Sequence, residues 1–151
     1  MTAERVLIVD DEPLIRHMLR DILELAAYTV VEASDGTEGL EKAEALSPDV
    51  ILLDLIMSGV VGYGVCQGLK ANPTTQAIPV IFVTASQDLR FNRLAYAAGA
   101  IACLPKPFRR EALIALIEAT LGSAERRAHA PEESGPPKRD LRVASPLFAG
   151  D

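Results

Sequence analysis

The sequence predicts an α/β protein in which five parallel strands form a single sheet covered by helices on both faces. Short apolar runs alternate with amphipathic segments over the first 121 residues. Strands and helices in strict alternation require crossover connections, and these place helices on both faces of a parallel sheet. The alternation stops at Gly122, and four of the ten prolines lie beyond it. We therefore predict one domain over residues 1–121 and a mostly disordered tail over residues 122–151.

The five predicted strands are short apolar runs. In order they are RVLIVD, YTVVEA, DVILLD, IPVIFVTA and AIACL. The first and third runs are apolar at successive positions, as expected of strands that are buried on both faces. Pro105 directly follows the run AIACL of the fifth strand, and a residue without an N–H suits an edge strand.

The predicted helices carry apolar residues three and four positions apart. The first helix begins near Pro13, which suits a first turn. Its apolar face is predicted to contain Leu14, Ile15, Met18, Leu19, Ile22 and Leu23. The other four helices are TEGLEKAEAL, GVCQGLKA, DLRFNRLAYAAG and RREALIALIEATLG. Gly99 closes the fourth, as glycine often does just past a helix end, and the fifth has one stripe of Leu113, Leu116, Ile117 and Leu121.

Composition limits the classes of function. The net charge of −6 lies entirely in residues 1–121, because the last thirty residues contain five acids and five bases. An acidic domain argues against nucleic-acid binding, which depends on neutralising phosphates. Cys66 and Cys103 are too few for a disulfide framework and indicate reduced thiols. With no signal peptide at the start and no apolar run of about 18 residues, we expect a cytoplasmic protein without membrane association.

Charged and polar residues stand at the ends of the predicted strands. Asp54 ends the apolar run VILLD, where an ionised carboxylate is costly unless something pairs with it. In an open parallel sheet, ligands bind outside the carboxyl ends of the strands. The residues at those ends are Asp10, Asp11, Asp54, Thr84 and Lys106. Each alone has an ordinary structural explanation, but together they suit a hard cation such as Mg²⁺, with Asp54 as nucleophile and Thr84 and Lys106 holding anionic oxygens.

The segments VLIVDDE, VILLD, VIFVTA and LPKPF, in this order, resemble the receiver domain of two-component response regulators over about residues 4–121. The resemblance implies a flavodoxin-like (βα)5 fold with strand order 2-1-3-4-5. It also implies that Asp54 accepts a phosphoryl group from phosphohistidine on a sensor histidine kinase or a histidine phosphotransfer protein. Such a domain is a signalling module rather than an enzyme, and it acts by changing its contacts with a downstream protein that the sequence does not identify.

The resemblance also assigns roles to site residues. It implies that Mg²⁺ is bound directly by Asp11, Asp54 and the backbone carbonyl of Ile56, with Asp10 holding the ion through water. Lys106 and Thr84 would contact the phosphoryl oxygens, helped by the backbone N–H of Ala85. A cis peptide bond is expected between Lys106 and Pro107.

Three positions depart from the family pattern. Cys103 replaces an aromatic residue whose ring usually responds to phosphorylation, so the output surface is expected to couple differently. The loop after Asp54 has Met57-Ser58 and Val61-Gly62 where the family usually has Met-Pro and Asp-Gly, which predicts a more mobile loop. Ile56 occupies a rim position that is often polar, and we hypothesise that it hinders attacking water and lengthens the phosphoryl lifetime.

Other classes of function were weighed against this one. A degenerate receiver would be a phosphorylation-independent interaction module; the intact acids, Thr84 and Lys106 argue against it, while Cys103 favours it. An aspartyl-phosphate phosphohydrolase would need a second acid at position 56, which is isoleucine. Gly62, Gly64 and Gly68 have the spacing G-x-G-x-x-x-G in the third unit, not the dinucleotide fingerprint of the first strand–helix turn, and we expect loop flexibility and close helix packing there.

We predict little independent structure for the tail. About thirty residues cannot form a core of their own, so we expect a stand-alone, single-domain response regulator. The segment LRVASPLF within the tail is apolar enough to dock on this domain or a partner. The apolar face of the last helix is compatible with a homodimer.

Overall fold

The computed structural model describes residues 3–57, 60–85 and 89–129. The helices in these ranges are α1 (Pro13–Leu25), α2 (Gly36–Leu46), α3 (Tyr63–Ala71), α4 (Leu89–Ala97) and α5 (Arg110–His129). The strands are β1 (Arg5–Val9), β2 (Thr29–Ala33), β3 (Val50–Asp54), β4 (Ile56–Met57), β5 (Val60–Val61), β6 (Val80–Thr84) and β7 (Ala102–Pro105). None of these helices is both long and apolar enough to cross a bilayer.

Five strands form one parallel sheet in the order β2-β1-β3-β6-β7. Counted within the sheet alone, this is the predicted order 2-1-3-4-5. The edge position of β7 explains why Pro105 is tolerated in a strand. The cis peptide bond between Lys106 and Pro107 is also present, and Gly99 has the positive φ of +109° expected of a residue just past a helix.

A short antiparallel hairpin was not predicted. In it, β4 pairs with β5 through Ile56 opposite Val61 and Met57 opposite Val60. Two-residue strands are too short to display an alternating pattern, so the sequence contains no signal for them. The hairpin begins two residues after Asp54 and therefore leads the chain away from the end of β3.

The sheet separates two apolar layers. Helices α1 and α5 pack on one face, where Leu19 and Leu23 lie in the same cluster as Leu113 and Ile117. Helices α2, α3 and α4 contribute to the cluster on the other face. All five residues of β3 and of β6 are buried, as the continuous apolar runs predicted.

Helix α1 turns two of its predicted core residues to solvent. Leu14 is 81% exposed and Met18 is 42% exposed, so placing them on the buried face was wrong. Ile15, Leu19 and Leu23 occupy the side that faces the sheet. Leu14 and Met18 each precede one of these residues and therefore lie about 100° around the helix axis from it.

Helix α5 is longer than the sequence predicted. It continues to His129, past Gly122, where the domain was predicted to end. Ala, Glu and Arg dominate the added turns and favour helix, so a single glycine does not stop it. The stripe Leu113, Ile117 and Leu121 is buried in the domain's own core. The homodimer prediction therefore loses its stated basis, and residues 130–151, including LRVASPLF, lie outside the described residues.

Candidate functional site: an acidic cluster at the sheet edge

Three aspartates meet at the carboxyl edge of the sheet. Asp10 and Asp11 follow β1 directly, and Asp54 is the last residue of the neighbouring β3. One carboxylate oxygen from each lies within 4.8 Å of the others. The parallel pairing of β1 with β3 brings these ends to one place. The structure thus brings together the three acids that the sequence assigned to one site.

Lys106 faces this acidic cluster. Its Nζ lies 3.6 Å from Oδ2 of Asp10 and 3.8 Å from Oδ1 of Asp54. Its backbone N–H donates to the carbonyl oxygen of Thr84 at 2.7 Å, which ties the end of β7 to the end of β6. One ammonium cannot balance three carboxylates, so an ionised cluster keeps an excess of negative charge.

The remaining predicted site residues lie beside the cluster. Thr84 is the buried last residue of β6, the strand next to β3, and Ala85 follows it at an exposed position. Ile56 opens β4, and its backbone N–H hydrogen-bonds to Asp54. The Ile56 side chain is 49% exposed, as expected at the rim of a site.

Burial makes the ionised acids unfavourable. It raises the pKa of Asp54 from 3.8 to about 6, and the neighbouring charge of Asp10 adds to this rise, while Lys106 and the Ile56 N–H oppose it. Burial also raises the pKa of Asp10, although a hydrogen bond from the Glu12 N–H opposes the rise. A divalent cation would relieve both effects. Clustered carboxylate oxygens are the ligands that Mg²⁺ prefers, so the residues present fit this ion.

Gly62 packs against the site, whereas the sequence analysis expected only loop flexibility and close helix packing from it. A Cβ at this position would lie 2.6 Å from the carbonyl oxygen of Asp54 and 3.1 Å from the Phe82 ring. Its φ of −66° is ordinary, so space rather than conformation requires glycine. Its N–H also donates to the carbonyl oxygen of Leu55 at 2.5 Å. Nothing local in the sequence distinguishes such a glycine from one in any loop.

The other two glycines of the G-x-G-x-x-x-G segment behave differently. A Cβ at Gly68 would lie 3.3 Å from the Leu40 side chain of α2, which is the close helix packing that we expected. A Cβ at Gly64 would meet nothing within 4 Å. Gly62 thus serves packing against the site and Gly68 packing between helices, while Gly64 has no close neighbour that requires glycine.

Cys103 is buried at the position where an aromatic ring was expected. It lies opposite Phe82 in the pairing of β6 with β7, and its side chain is part of the core on the side of α2, α3 and α4. Neither cysteine forms a disulfide, as predicted, and burial raises the pKa of the Cys66 thiol. A small buried thiol leaves this part of β7 without a large side chain that could change position.

Residues 6–118 match the family described as the response regulator receiver domain. The chain belongs to this family. This receiver domain is 38% identical over 130 residues to the DNA-binding dual master transcriptional regulator RpaA of Synechocystis, covering 86% of the chain and 54% of RpaA. It is likewise 38% identical over 117 residues to the response regulator MprA of Mycobacterium ulcerans, covering 78% of the chain and 50% of MprA. The chain thus spans about half the length of these curated relatives.

Two solved structures are similar to this chain over nearly their whole length. The chemotaxis protein CheY4 of Vibrio cholerae superposes with a TM-score of 0.75 at 31% identity, covering 79% of this chain and 99% of CheY4. The receiver domain of the sensor histidine kinase PA1611 of Pseudomonas aeruginosa, solved with a magnesium ion coordinated in its active-site cleft, has a TM-score of 0.74 at 26% identity. That match covers 80% of this chain and 98% of the PA1611 domain. These likenesses confirm the flavodoxin-like fold.

Family membership settles the class of function. The receiver domain is a phosphoacceptor signalling module of two-component systems, and such domains interact with histidine kinases. Receiver domains bind Mg²⁺ at an acidic pocket, and Asp10, Asp11 and Asp54 form one here. The expectation of no nucleic-acid contact conflicts in part with this comparison, because the longer relative RpaA is named as DNA-binding. The stand-alone architecture stays a prediction.

The close approach of Gly62 to Asp54 predicts a substitution effect. Gly62→Ala should destabilise the protein by about 1–3 kcal/mol, because overpacking forces backbone shifts, and should displace the end of β3. Gly64→Ala is the matched control and should be neutral or stabilising by roughly 0.5–1 kcal/mol, since alanine is the better helix former. Urea unfolding of the two variants measures this. Equal effects of both would contradict the packing role of Gly62.

The raised pKa of Asp54 predicts a pH-dependent stability. The folded pKa of about 6 exceeds the ordinary 3.8, so the folded state binds the proton more tightly. The stabilising contribution of the protonated Asp54 carboxyl is therefore fully present below about pH 4. It is lost as the pH rises through about 6. In EDTA, Asp54→Asn should stabilise the fold at pH 7.5 by up to about 3 kcal/mol, at about 1.4 kcal/mol per pKa unit.

This gain should shrink when the same urea titrations are repeated at pH 4. The exposed Glu41→Gln variant is the control and should change stability little at either pH. A gain for Asp54→Asn that was equal at both pH values would show that the carboxyl is not disfavoured by its surroundings.

Proposed function

We propose that Asp54 is the residue of this receiver domain that accepts the phosphoryl group. The observation that carries this proposal is the position of Lys106, whose ammonium lies within 4 Å of both Asp10 and Asp54 beside the clustered acids. Asp10 is already engaged by the Glu12 N–H at 2.9 Å and is almost fully buried. Asp54 ends β3 between β1 and β6, so a phosphoryl group on it would lie beside Thr84 at the end of β6 as well as Lys106.

The acids around Asp54 would hold Mg²⁺. We assign its direct ligands to Asp11, Asp54 and the backbone carbonyl of Ile56, with Asp10 acting through a water molecule. When bound, the ion supplies charge neutralisation for the carboxylates and the incoming phosphoryl oxygens. Asp11 would then be a direct ligand and Asp10 a water-mediated one, and one oxygen of Asp54 would stay available for the new bond.

The phosphotransfer step needs mainly positioning and charge stabilisation. A carboxylate oxygen of Asp54 forms a bond to phosphorus while the bond between phosphorus and the histidine nitrogen of the donor breaks, and the electron pair stays on the imidazole. Lys106, the Thr84 hydroxyl and the Ala85 N–H would hold the phosphoryl oxygens. Lys106 suits this role because an ammonium is a compact point charge.

The proposed donor is a sensor histidine kinase or a histidine phosphotransfer protein, and the proposed compartment is the cytoplasm. The output is a change in contact with a downstream protein partner. Because Cys103 is a buried thiol, this output would not use the movement of a ring at that position. The mobility of the loop after Asp54 stays a prediction, since residues 58–59 lie outside the described ranges.

Chemical phosphorylation tests the assignment of Asp54. With acetyl phosphate and Mg²⁺, the wild-type chain should acquire one phosphoryl group, measurable as a mass increase or a gel shift, and EDTA should prevent this. Asp54→Asn should acquire none, because it lacks the nucleophilic oxygen. The exposed Asp21→Asn variant is the control and should behave as wild type. Full labelling of Asp54→Asn would contradict the proposal.

The exposed Ile56 side chain gives a separate prediction. Ile56→Asn should shorten the lifetime of the phosphorylated protein several-fold, because a polar side chain at the rim can orient attacking water. Leu25→Asn is the control, since Leu25 is an exposed apolar residue at the far end of α1. The loss of label after removal of acetyl phosphate measures the lifetime. An unchanged lifetime in Ile56→Asn would remove the hypothesis.

A further inference from the structure

Arg16 of α1 contacts the main chain of the acidic cluster. Its Nη1 donates to the main-chain carbonyl oxygen of Asp10 at 2.7 Å, and its Nε bonds to Oε1 of Glu32 in β2 at 3.0 Å. The Arg16 side chain is only 15% exposed. One guanidinium therefore links the edge strand of the sheet to the turn that carries Asp10 and Asp11.

The contact with Asp10 falls where the backbone has left the regular sheet. Strand β1 ends at Val9 and α1 begins at Pro13, so residues 10–12 lie between the two elements. The N–H of Asp10 still donates to the carbonyl of Ala33 at 3.1 Å. The carbonyl of Asp10 has Arg16 as its donor. Both peptide units that flank Asp10 are thereby anchored.

Anchoring the Asp10 carbonyl also orients Asp11. This carbonyl belongs to the planar peptide that joins the two aspartates, so its direction fixes the plane. The plane in turn limits the direction in which the Asp11 side chain leaves the backbone. Arg16 thus acts on the second carboxylate of the cluster through a main-chain atom.

Glu32 makes this arrangement compatible with a cation. An unbalanced guanidinium beside a metal site would repel a divalent ion, but Arg16 is paired with Glu32, which also bonds to Nε of Arg20 at 2.5 Å. Although burial opposes it, hydrogen bonds from Arg20 and Arg16 hold the pKa of Glu32 below its usual value. Glu32 therefore stays ionised and neutralises the nearby positive charge.

We propose that Arg16 is a positioning residue of the metal site and that Glu32 is its anchor. The pair fixes the peptide between Asp10 and Asp11, so that both carboxylates are aimed before a cation arrives. The planar fork of arginine suits this task, since two of its nitrogens serve two acceptors at once. The inference rests on the proposed function, because it assigns a role in the site where Asp54 is phosphorylated.

The Mg²⁺ dependence of phosphorylation distinguishes a role of Arg16 in positioning the metal ligands from a role in the stability of the fold. We compare the 151-residue wild-type chain, Arg16→Met and Arg20→Met, and measure the rate of phosphorylation by acetyl phosphate against Mg²⁺ concentration. Arg16→Met should raise the half-saturating Mg²⁺ concentration about tenfold, the usual scale for residues that orient metal ligands. Its maximal rate should change little, because enough Mg²⁺ fills the site again.

Arg20→Met is the matched control. Arg20 contacts the same Glu32 and also Glu24, at 2.9 Å, so its loss removes ion pairs. None of its hydrogen bonds or ion pairs found in the described residues involves Asp10. Arg20→Met should therefore keep the wild-type half-saturating Mg²⁺ concentration. Equal values for wild type and Arg16→Met, or equal increases for both methionine variants, would overturn the inference.

Glu32→Gln provides a second test of the positioning role in case Arg16→Met does not fold. It retains both arginines but weakens the anchor of Arg16, so a smaller rise in the half-saturating concentration is expected, and no rise would overturn the inference. Thermal unfolding of each variant shows whether it is folded. Phosphorylation of the wild type without Mg²⁺, or at a residue other than Asp54, would instead contradict the proposed function. The positioning role of Arg16 would fail with it.

Discussion

The site depends on one electrostatic constraint: three carboxylates and one ammonium share a mostly buried edge of the sheet. Parallel pairing of β1, β3 and β6 creates that edge, and the continuous apolar runs of these strands keep it in place. The free-energy cost of ionising the buried acids is seen in the pKa of Asp54, which burial and the charge of Asp10 raise to about 6. The fold thus holds Asp10 and Asp54 where burial disfavours their ionised forms, and binding a cation is a direct way to relieve that cost.

The fold was predictable because its signal is local. Each strand is an apolar run and each helix an apolar stripe, and their alternation specifies a parallel sheet. The errors came from features that depend on neighbouring elements. The exposure of Leu14 follows from which side of α1 meets the sheet, the hairpin of β4 and β5 is too short to show a pattern, and α5 continues through Gly122.

The acids and the lysine of the site were predictable for a related reason. Each stands at the end of a strand, so topology alone brings Asp10, Asp54 and Lys106 together. The site roles of Gly62 and Arg16 were missed because each depends on a main-chain oxygen of a site residue: Gly62 packs against that of Asp54, and Arg16 donates to that of Asp10. A glycine in a loop and an arginine in a helix have no distinctive pattern, and only the packed structure shows what they touch. The same contacts show how the backbone around the acids is held, which the residue types alone do not.

A structure of this chain crystallised with Mg²⁺ and beryllofluoride, a mimic of the phosphoryl group, tests the central claim most directly. We expect beryllium to be bonded to a carboxylate oxygen of Asp54, with its fluorines facing Lys106 and Thr84. We expect Mg²⁺ to lie between Asp11 and Asp54. Beryllofluoride on another side chain, an ion bound away from these aspartates, or Lys106 turned outward would contradict it.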